Sequence, residues 1–356
     1  GGGQQVGWGG GEATGYTIHA ILWNGSAEGF IDLNPNEFTE SVACATNGIQ
    51  QVGQCIGMPN HDDKHAFLWN GSAESYIDLN PADFDESSAY GISGNQQVGI
   101  GYGEATQGEG HALLWNGSAN NYVDLNPSGF DYSTARAISG TQQVGYGHNV
   151  VTTAYPHALL WTGTAESYVD LNPADFNGSI ASGTNGSQQV GQGRRSNAIY
   201  YHALLWNGTA ENYIDLNPSG FESSAACGIN AAQQVGSGRG PATDGNDHAL
   251  VWNGSAQSYV DLHQFLPAQY AHWASYASSI DSNGNIAGVL ILVVGDLSDP
   301  SSYQINYAVM WKPVICTRPV AGDLNGDCKV DFEDFAIMAS HWLECNLQPP
   351  SACWQQ

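Results

Sequence analysis

The chain has 356 residues, 8 Lys and Arg against 34 Asp and Glu, and a formal net charge of -26. So few cations exclude the basic face that a nucleic-acid-binding protein needs to neutralise phosphates, and the same argument excludes binding to anionic membranes. With 42% hydrophobic and 11% aromatic residues, the chain can bury a substantial core. No apolar run reaches the roughly 18 residues of a membrane-spanning helix, so no membrane insertion is expected.

Short sequence words recur along the chain with a period of about 46 residues. Words of the type His-Ala-Leu-Leu-Trp begin at spacings of 46, 46, 46, 45 and 46 residues, and a degenerate seventh copy occupies 307–311. The six regular copies begin at His19, His65, His111, His157, His202 and His248. Gln-Gln-Val-Gly and Asp-Leu-Asn-Pro recur with the same period. Such a period is typical of an architecture in which each copy is one supersecondary unit.

Each period contains four short strand candidates, which in one copy are Ser88–Ser93, Gln96–Tyr102, His111–Trp115 and Tyr122–Leu125. They are rich in apolar and aromatic residues and are bounded by turn-forming residues, as short antiparallel strands are. Asn116-Gly117 predicts a hairpin-type turn, and Asn80-Pro81 predicts a single helical turn between units. Seven such units predict an all-β, seven-bladed β-propeller, with a parallel β-helix as the alternative.

The least repetitive segments lie between the second and third strands of each unit. In an up-and-down blade these loops gather on one face of the ring, where a rigid scaffold presents a binding site. The sequence opens at a second strand, so the first strand of the first blade is missing. We expect an upstream segment or a neighbouring molecule to fill that place, because an unpaired strand edge recruits strands.

The repeat words resemble those of the HAF family of bacterial extracellular repeats. His65–Trp69, a following Asp-Leu, Ser88–Ser93 and the Gln-Gln-Val-Gly word carry the resemblance, and 277–288 resembles that family's closing repeat. The resemblance covers about residues 4–313 and implies a secreted, propeller-like protein. It transfers no catalytic residues, and the hydrophobic stretch 290–294 departs from the family's pattern.

Near the C-terminus, residues 323–334 form a 12-residue loop with oxygen ligands at alternate positions. An EF-hand loop wraps Ca²⁺ with this spacing, because the hard cation demands oxygen. The predicted ligands are Asp323, Asn325, Asp327, the Lys329 carbonyl, Asp331 and Asp334. A helix over 332–343 is expected to follow. The Asp-x-Asn-x-Asp opening resembles a dockerin repeat, although Cys328 stands where Gly is usual and only one loop is present.

Of seven cysteines, four lie in the last 41 residues, which predicts a disulfide-stapled tail in an oxidising compartment. Cys44 and Cys55 lie on adjacent strands of one blade, diagonally offset by two residues, and a bulge would be needed to join them. Cys227 aligns with Cys44 and is expected to be a free, buried thiol. The possible disulfide cysteines are Cys44, Cys55, Cys316, Cys328, Cys345 and Cys353.

Residues repeated in every blade have both a functional and a structural interpretation. The repeated His could surround a ligand or metal, but we expect a structural role at each strand start. The Trp that ends each third strand could stack on sugars, but we expect it to fill the space between blades. The Asp of the Asp-Leu word could be an acid catalyst, but we expect a turn acceptor. The Asn-Gly-Ser/Thr triplets match N-glycosylation acceptors and hairpin turns, and we favour turns.

A catalytic or ligand-specific residue should break the repeat in one blade. Such breaks occur in loops of the variable face, and the candidate binding residues are His61, Asp62, Asp63, Arg194, Arg195, Tyr200, Tyr201, Asp244 and Asp247. None of these groups has the defined spacing of a catalytic site, so no catalytic residue is assigned.

The sequence therefore predicts a propeller over 1–314, a linker or closing strand over 315–322, and a calcium-binding, dockerin-like tail over 323–356. We expect a non-catalytic structural or interaction protein that is secreted or held at the cell surface. It is expected to form homo-oligomers or polymers through strand addition or tail contacts. The alternatives are a carbohydrate-binding propeller that recognises a polysaccharide and, less favoured, a glycan-acting hydrolase.

Overall fold

A computed structural model describes residues 3–58, 61–148, 155–294, 303–313, 321–322, 330 and 332–340. The chain divides into two units, Gly1–Trp311 and Lys312–Gln356. The first unit contains seven antiparallel sheets, each built from consecutive strands of the chain. It is a seven-bladed β-propeller, as the repeat predicted. No helix in the described part of the chain is long and apolar enough to cross a lipid bilayer.

The strands follow the 46-residue period. Blade one contains β1 Gln5–Gly9, β2 His19–Trp23 and β3 Phe30–Asp32. Blade two contains β4 Glu40–Thr46, β5 Gln51–Met58, β6 His61–Trp69 and β7 Tyr76–Asp78; blade three contains β8 Glu86–Ser93, β9 Gln96–Tyr102, β10 His111–Trp115 and β11 Tyr122–Asp124. Blade four contains β12 Tyr132–Ser139, β13 Gln142–His148, β14 His157–Trp161 and β15 Val169–Asp170.

The remaining blades continue the pattern. Blade five contains β16 Phe176–Thr184, β17 Gln189–Arg195, β18 His202–Trp206 and β19 Tyr213–Asp215; blade six contains β20 Ser223–Ile229, β21 Gln234–Arg239, β22 His248–Trp252 and β23 Val260–Asp261. Blade seven contains β24 Ala274–Ile280, β25 Ile286–Val294 and β26 Tyr303–Trp311. The second unit contains one described helix, α1, at Phe332–Ser340.

The first strand of blades two to seven is the innermost strand, and successive first strands contact one another around the ring. Each of these six strands carries a β-bulge at the same point, where two ladder partners are separated by one extra residue. The bulge residues are Cys44, Tyr90, Arg136, Ser182, Cys227 and Ser278. A bulge re-aims a side chain, and these six residues are the variable positions of the inner surface.

The glycine of the Gln-Val-Gly word sets how closely first and second strands approach. A Cβ added to Gly99 would lie 1.9 Å from the carbonyl oxygen of Ser88 on the first strand of the same blade. Gly145 has the same relation to the carbonyl oxygen of Thr134, also at 1.9 Å. No side chain fits there, so this position of the repeat is determined by backbone packing.

Hydrophobic cores lie between neighbouring blades, and tryptophan is their largest component. Trp115 of blade three is fully buried in a cluster with Val52 and Leu68 of blade two. The equivalent residues in four other blades are also fully buried: Trp69, Trp161, Trp206 and Trp252. The prediction that these rings fill the space between blades is confirmed.

The repeated His and Asp residues pair with each other inside each blade. His65 Nδ1 lies 2.8 Å from Asp78 Oδ2, while Asp78 Oδ1 accepts the backbone N–H of Asn80 at 2.8 Å. The same His–Asp contact recurs in the six regular units at 2.7–2.9 Å. The predicted structural role of the histidines and the predicted turn-acceptor role of the aspartates are therefore confirmed.

The connection between blades is a hydrogen-bonded turn. Phe84 N–H donates to the Pro81 carbonyl at 3.0 Å, and the Asn80 side-chain amide donates to the Phe84 carbonyl at 2.8 Å. The predicted helical turn at Asn80-Pro81 is wrong, because the turn closed by Phe84 and Pro81 is not continued as a helix, and a side chain of the next blade occupies the oxygen of Asn80. Asn80 Oδ1 accepts the hydroxyl of Ser87 at 2.6 Å, and Ser87 Oγ accepts the backbone N–H of Ala66 at 3.0 Å. One serine thus links consecutive blades.

Candidate functional site

The first strands of four neighbouring blades, together with the second strand β13, line a cavity of about 370 Å³. We call it the channel pocket, and its lining residues are Tyr90, Tyr132, Thr134, Arg136, Tyr146, Ser182 and Cys227. Four of these are the bulge residues of β8, β12, β16 and β20. Because the pocket collects equivalent positions from successive blades, it lies on the inner surface of the ring.

Tyrosines form one wall of the channel pocket. The Tyr132 ring lies 6.0 Å from the Tyr146 ring and stacks on His148 at 5.4 Å, with 13° between the planes. Burial, followed by the neighbouring Tyr146 and Tyr102, raises the pKa of the Tyr132 hydroxyl far above its usual range. The Tyr132 hydroxyl therefore remains protonated at any physiological pH.

Arg136 supplies positive charge to the channel pocket. Its guanidinium carbon lies 5.2 Å from the centroid of the Tyr146 ring, which is a cation–π contact. The Arg136 side chain is exposed. No carboxylate in the described part of the chain forms an ion pair with it. Its N–H donors are available to a polar ligand, and the tyrosines add flat apolar faces and hydroxyls.

The channel pocket was missed by reasoning from the sequence, which placed the candidate site in the loops. Arg136 and Tyr90 lie inside strands, and their common position depends on the bulge. A signal was nevertheless present. When the first strands are aligned, the bulge residue in the other four is Cys44, Ser182, Cys227 or Ser278, so Arg136 is the single charged residue in the column.

The paired arginines of the predicted loop site, Arg194 and Arg195, end strand β17 and hold blade five together. Arg195 forms ion pairs with Asp175 and, at 3.3 Å, with Asp215. Burial alone would raise the pKa of Asp215, but hydrogen bonds from His202, the Asn217 backbone and Arg195 lower it overall. Arg195 is therefore a structural residue rather than a free ligand-binding cation.

Aromatic rings flank the other arginine of the pair. The Arg194 guanidinium carbon lies 4.3 Å from the Tyr155 ring centroid and 5.8 Å from that of Tyr201. Both rings are among the loop aromatics of the variable face. Tyr200 remains 39% exposed and lies beside Ile199, which is 80% exposed, so a ligand can reach this part of the loop.

The other predicted loop residues do not converge on one site. Asp247 Oδ2 accepts the hydroxyl of Tyr276 at 2.8 Å, and this contact joins blades six and seven. Asp244 ends a short turn with φ of 52°, in the left-handed region. His61, Asp62 and Asp63 begin strand β6, and the side chains of His61 and Asp62 lie outside the described residues.

The possible disulfide between Cys44 and Cys55 is wrong. Cys55 pairs across the hairpin with Ser41, whereas Cys44 is the bulge residue further along the strand. Both are free thiols, as is Cys227. Cys227 is also exposed rather than buried. The Cys44 side chain is open to solvent, but many protein atoms lie around it. The resulting desolvation raises the pKa of its thiol to about 11.

Most of the predicted tail site lies outside the described residues. This applies to the predicted calcium ligands Asp323, Asn325, Asp327, Lys329 and Asp331, and to the cysteines Cys316, Cys328, Cys345 and Cys353. Asp334, the predicted ligand at position twelve, lies in the first turn of α1 and is 3% exposed. The helix is described as far as Ser340, and the rest of the predicted span lies beyond the described part.

No family model and no curated protein matches this sequence. Among solved structures, the chain is similar to TolB from Acinetobacter baumannii at 12% identity, with a TM-score of 0.45, over 72% of this chain and 62% of TolB. The β-propeller domain of the Trilobed protease from Pyrococcus furiosus, described as having an open velcro topology, is 9% identical, with a TM-score of 0.52, over 81% of this chain and 85% of that chain. A puromycin-hydrolyzing peptidase from Mycobacterium tuberculosis is 12% identical, with a TM-score of 0.46, over 76% and 47%.

These similarities concern the fold. The chain spans 62% of the length of TolB and 47% of the length of the peptidase. At 9% identity, the similarity to the β-propeller domain of the Trilobed protease supports the propeller fold and transfers no activity. The resemblances to HAF repeats and to a dockerin loop remain predictions based on the motifs.

Proposed function

We propose that the protein is a non-catalytic, extracellular interaction protein that binds a neutral polysaccharide in the channel pocket. The supporting observation is the pocket itself, which combines tyrosine rings with an arginine that forms no ion pair with a carboxylate of the described residues. Aromatic rings offer flat apolar contact area with a polar edge, and a few convergent donors fix the orientation of a ligand. Sugar rings, with apolar faces and hydroxyl edges, match this combination.

The charge of the chain favours a neutral ligand over an acidic one. A net charge of -26 creates a negative potential that repels a polyanion approaching the ring. Arg136 adds one local cation, whose planar N–H groups can donate to neighbouring hydroxyls. Binding should therefore depend on stacking and hydrogen bonds and change little with salt.

The proposed absence of catalysis rests on how the acid–base residues are used. The His–Asp pairs are the same in six blades and hold backbone turns in each of them. A catalytic pair should be singular and should line a pocket. The extracellular location is supported by the acidic composition and by the cysteine-rich tail.

Titration calorimetry with neutral and acidic oligosaccharides tests the proposal. Arg136→Ser introduces the residue found at the same bulge position in blade five, Ser182, so the fold should be retained. We expect this variant to bind a neutral glycan at least about tenfold more weakly, since hydrogen bonds to a charged group contribute about 1.5–3 kcal/mol. Arg239→Ser, which removes an exposed arginine at the end of β21, is the matched control and should bind normally.

Two results would contradict the proposal. Equal glycan affinity in wild type and Arg136→Ser would exclude the channel pocket as the binding site. A colorimetric assay over hours detects new reducing ends in the bound glycan. Their release would show that the protein is a hydrolase and not only a binding protein.

We also propose that the tail binds Ca²⁺ through the loop 323–334. The buried position of Asp334 at the start of α1 supports this, because the residue at position twelve of such a loop turns back toward the ion. A ligand at 100 times its Kd stabilises the folded state by about 2.7 kcal/mol. A chelator should therefore lower the melting temperature of the tail transition in the wild type and not in Asp334→Ala. If the wild-type tail melts at the same temperature with and without chelator, calcium binding by the loop is refuted.

A further inference from the structure

The junction of blade seven with blade one differs from the six other junctions of the ring. Elsewhere a first strand lies between the second strand of its own blade and the third strand of the preceding blade. In blade one the innermost described strand is β1, and beside it is a cavity of about 250 Å³. Gln5, Val6, Cys44, Ile280 and Ala287 are among its lining residues. We call this cavity the seam groove.

In strand β1, no backbone of the described residues packs against the glycine of the repeat word, Gly7. In blades two to seven, a Cβ on the equivalent glycine would lie 1.9–2.0 Å from a first-strand carbonyl oxygen. Gly7 holds the same place in the word Gln-Val-Gly, but a Cβ there would meet only the Trp23 ring, at 3.3 Å. Gly7 therefore leaves room for a strand backbone that the described residues do not provide.

Blade seven presents the matching donor. In each regular unit the alanine after the repeated histidine donates its N–H to a serine on the next first strand, as Ala249 does to Ser275 Oγ at 2.9 Å. Ala308 occupies this position in β26. No hydroxyl in the described part of the chain accepts its N–H. The donor faces the same junction as Gly7.

The hydrophobic core is also incomplete at this junction. Six clusters of buried side chains join blades one to seven in sequence, and none of the six spans blades seven and one in the described part of the chain. Trp23, unlike Trp115 and its fully buried equivalents, is only half-buried. It lines a second cavity against Ala308 and Met310 of blade seven.

From these observations we infer that the seam groove is a strand-acceptor site. Its occupant is an extended peptide segment of the same type as the repeat's own first strands. All six of those strands contain Ser-x-Ala, at 41–43, 87–89, 133–135, 179–181, 224–226 and 275–277. The segment lies antiparallel to β1, with its serine accepting from Ala308 and its backbone packed over Gly7. This inference is independent of glycan binding.

A synthetic peptide tests the site on the full chain. The probe is a fluorescent copy of residues 86–95, capped at both ends, and its binding is measured by anisotropy. Gly7→Ala should weaken binding at least tenfold, because the new Cβ occupies the place of the incoming carbonyl. The same variant should keep the wild-type melting temperature, since only the Trp23 ring must adjust. A peptide in which alanine replaces the serine that corresponds to Ser87 should bind about fivefold to tenfold more weakly than the unchanged peptide.

Thiol labelling locates the peptide. Cys44 lines the seam groove, whereas Cys227 is the equivalent bulge residue and lines the channel pocket. Bound peptide should slow alkylation of Cys44, measured by mass spectrometry, and leave Cys227 unchanged. Equal peptide binding by wild type and Gly7→Ala overturns the inference, as does the absence of binding. A concentration-dependent oligomer that excludes the peptide also overturns it, because a second copy would then be the occupant.

Discussion

The substitution Trp115→Phe should destabilise the propeller less than Trp311→Phe, although Trp115 is the more deeply buried residue. Trp115 is 0% exposed, and no protein atom of the described residues accepts a hydrogen bond from its Nε1. Trp311 is half-buried, and its Nε1 donates to the Leu262 carbonyl at 3.1 Å. The same chemical change therefore removes an unpaired donor in one blade and a formed hydrogen bond in another.

The magnitudes decide the order. Exchanging indole for phenyl removes the N–H and two ring carbons, which is worth about 1.6 kcal/mol of burial at about 0.8 kcal/mol per carbon. At Trp115 this loss is opposed by about 1–3 kcal/mol, because a buried N–H without a partner no longer has to be desolvated. The net change at Trp115 should be near zero. At Trp311 the burial loss is about half as large, but the lost hydrogen bond and the unpaired Leu262 carbonyl bring the total to about 2 kcal/mol.

Urea unfolding of the two variants, followed by circular dichroism, measures the difference. Trp161→Phe is the matched replicate, since Trp161 is also 0% exposed and its Nε1 likewise finds no acceptor in the described part of the chain. The slope of unfolding free energy against urea must stay constant for the comparison to hold. A larger loss of unfolding free energy at Trp115 than at Trp311 would refute the assignment of an unsatisfied N–H at the blade core.

Three further substitutions test the repeat. Ser133→Ala should cost about 1–3 kcal/mol in urea unfolding, because the buried N–H of Ala112 loses its acceptor at 3.1 Å; an unchanged midpoint would contradict the inter-blade link. Gly145→Ala should prevent folding or lower the melting temperature sharply, since its Cβ would lie 1.9 Å from the Thr134 carbonyl, and wild-type stability would argue against the strand packing. His263→Asn should flatten the pH dependence of the melting temperature. Burial, then the neighbouring His248, lowers the pKa of His263 from 6.5, so its stabilising contribution is present above pH 6.5 and is lost as pH falls through the folded pKa. Parallel pH profiles for wild type and variant between pH 5 and 7 would exclude this effect.

Much of the ring was predictable because one set of contacts is copied in every blade. His65 pairs with Asp78 in the same way in six units, so repetition alone indicated a structural role. The same argument placed Trp115 between blades. A residue that recurs with the period of the fold meets the same neighbours each time, and its role can be inferred without coordinates.

The alignment of the first strands marks Arg136 as unusual, but the convergence of the residues that line the channel pocket could not be predicted, because it depends on a one-residue register shift. A strand read with strict alternation directs Arg136 and its neighbours to alternate faces, whereas the bulge between Ala135 and Ala137 gives this strand one residue without a partner. The same shift separates Cys44 from Cys55 and excludes the disulfide. Bulges in a first strand have no clear sequence signature, since small residues surround both regular and bulged positions.

Every sheet of the propeller is made from strands that follow one another in the chain, so no described pairing requires residues that are far apart in sequence. Such local topology lowers the entropy lost in closing loops and speeds folding. During synthesis, a blade can form once its own residues have emerged, and the preceding blade offers the surface on which it packs. The ring can therefore grow in one direction from the ribosome, with each serine and tryptophan docking onto a partner that is already folded.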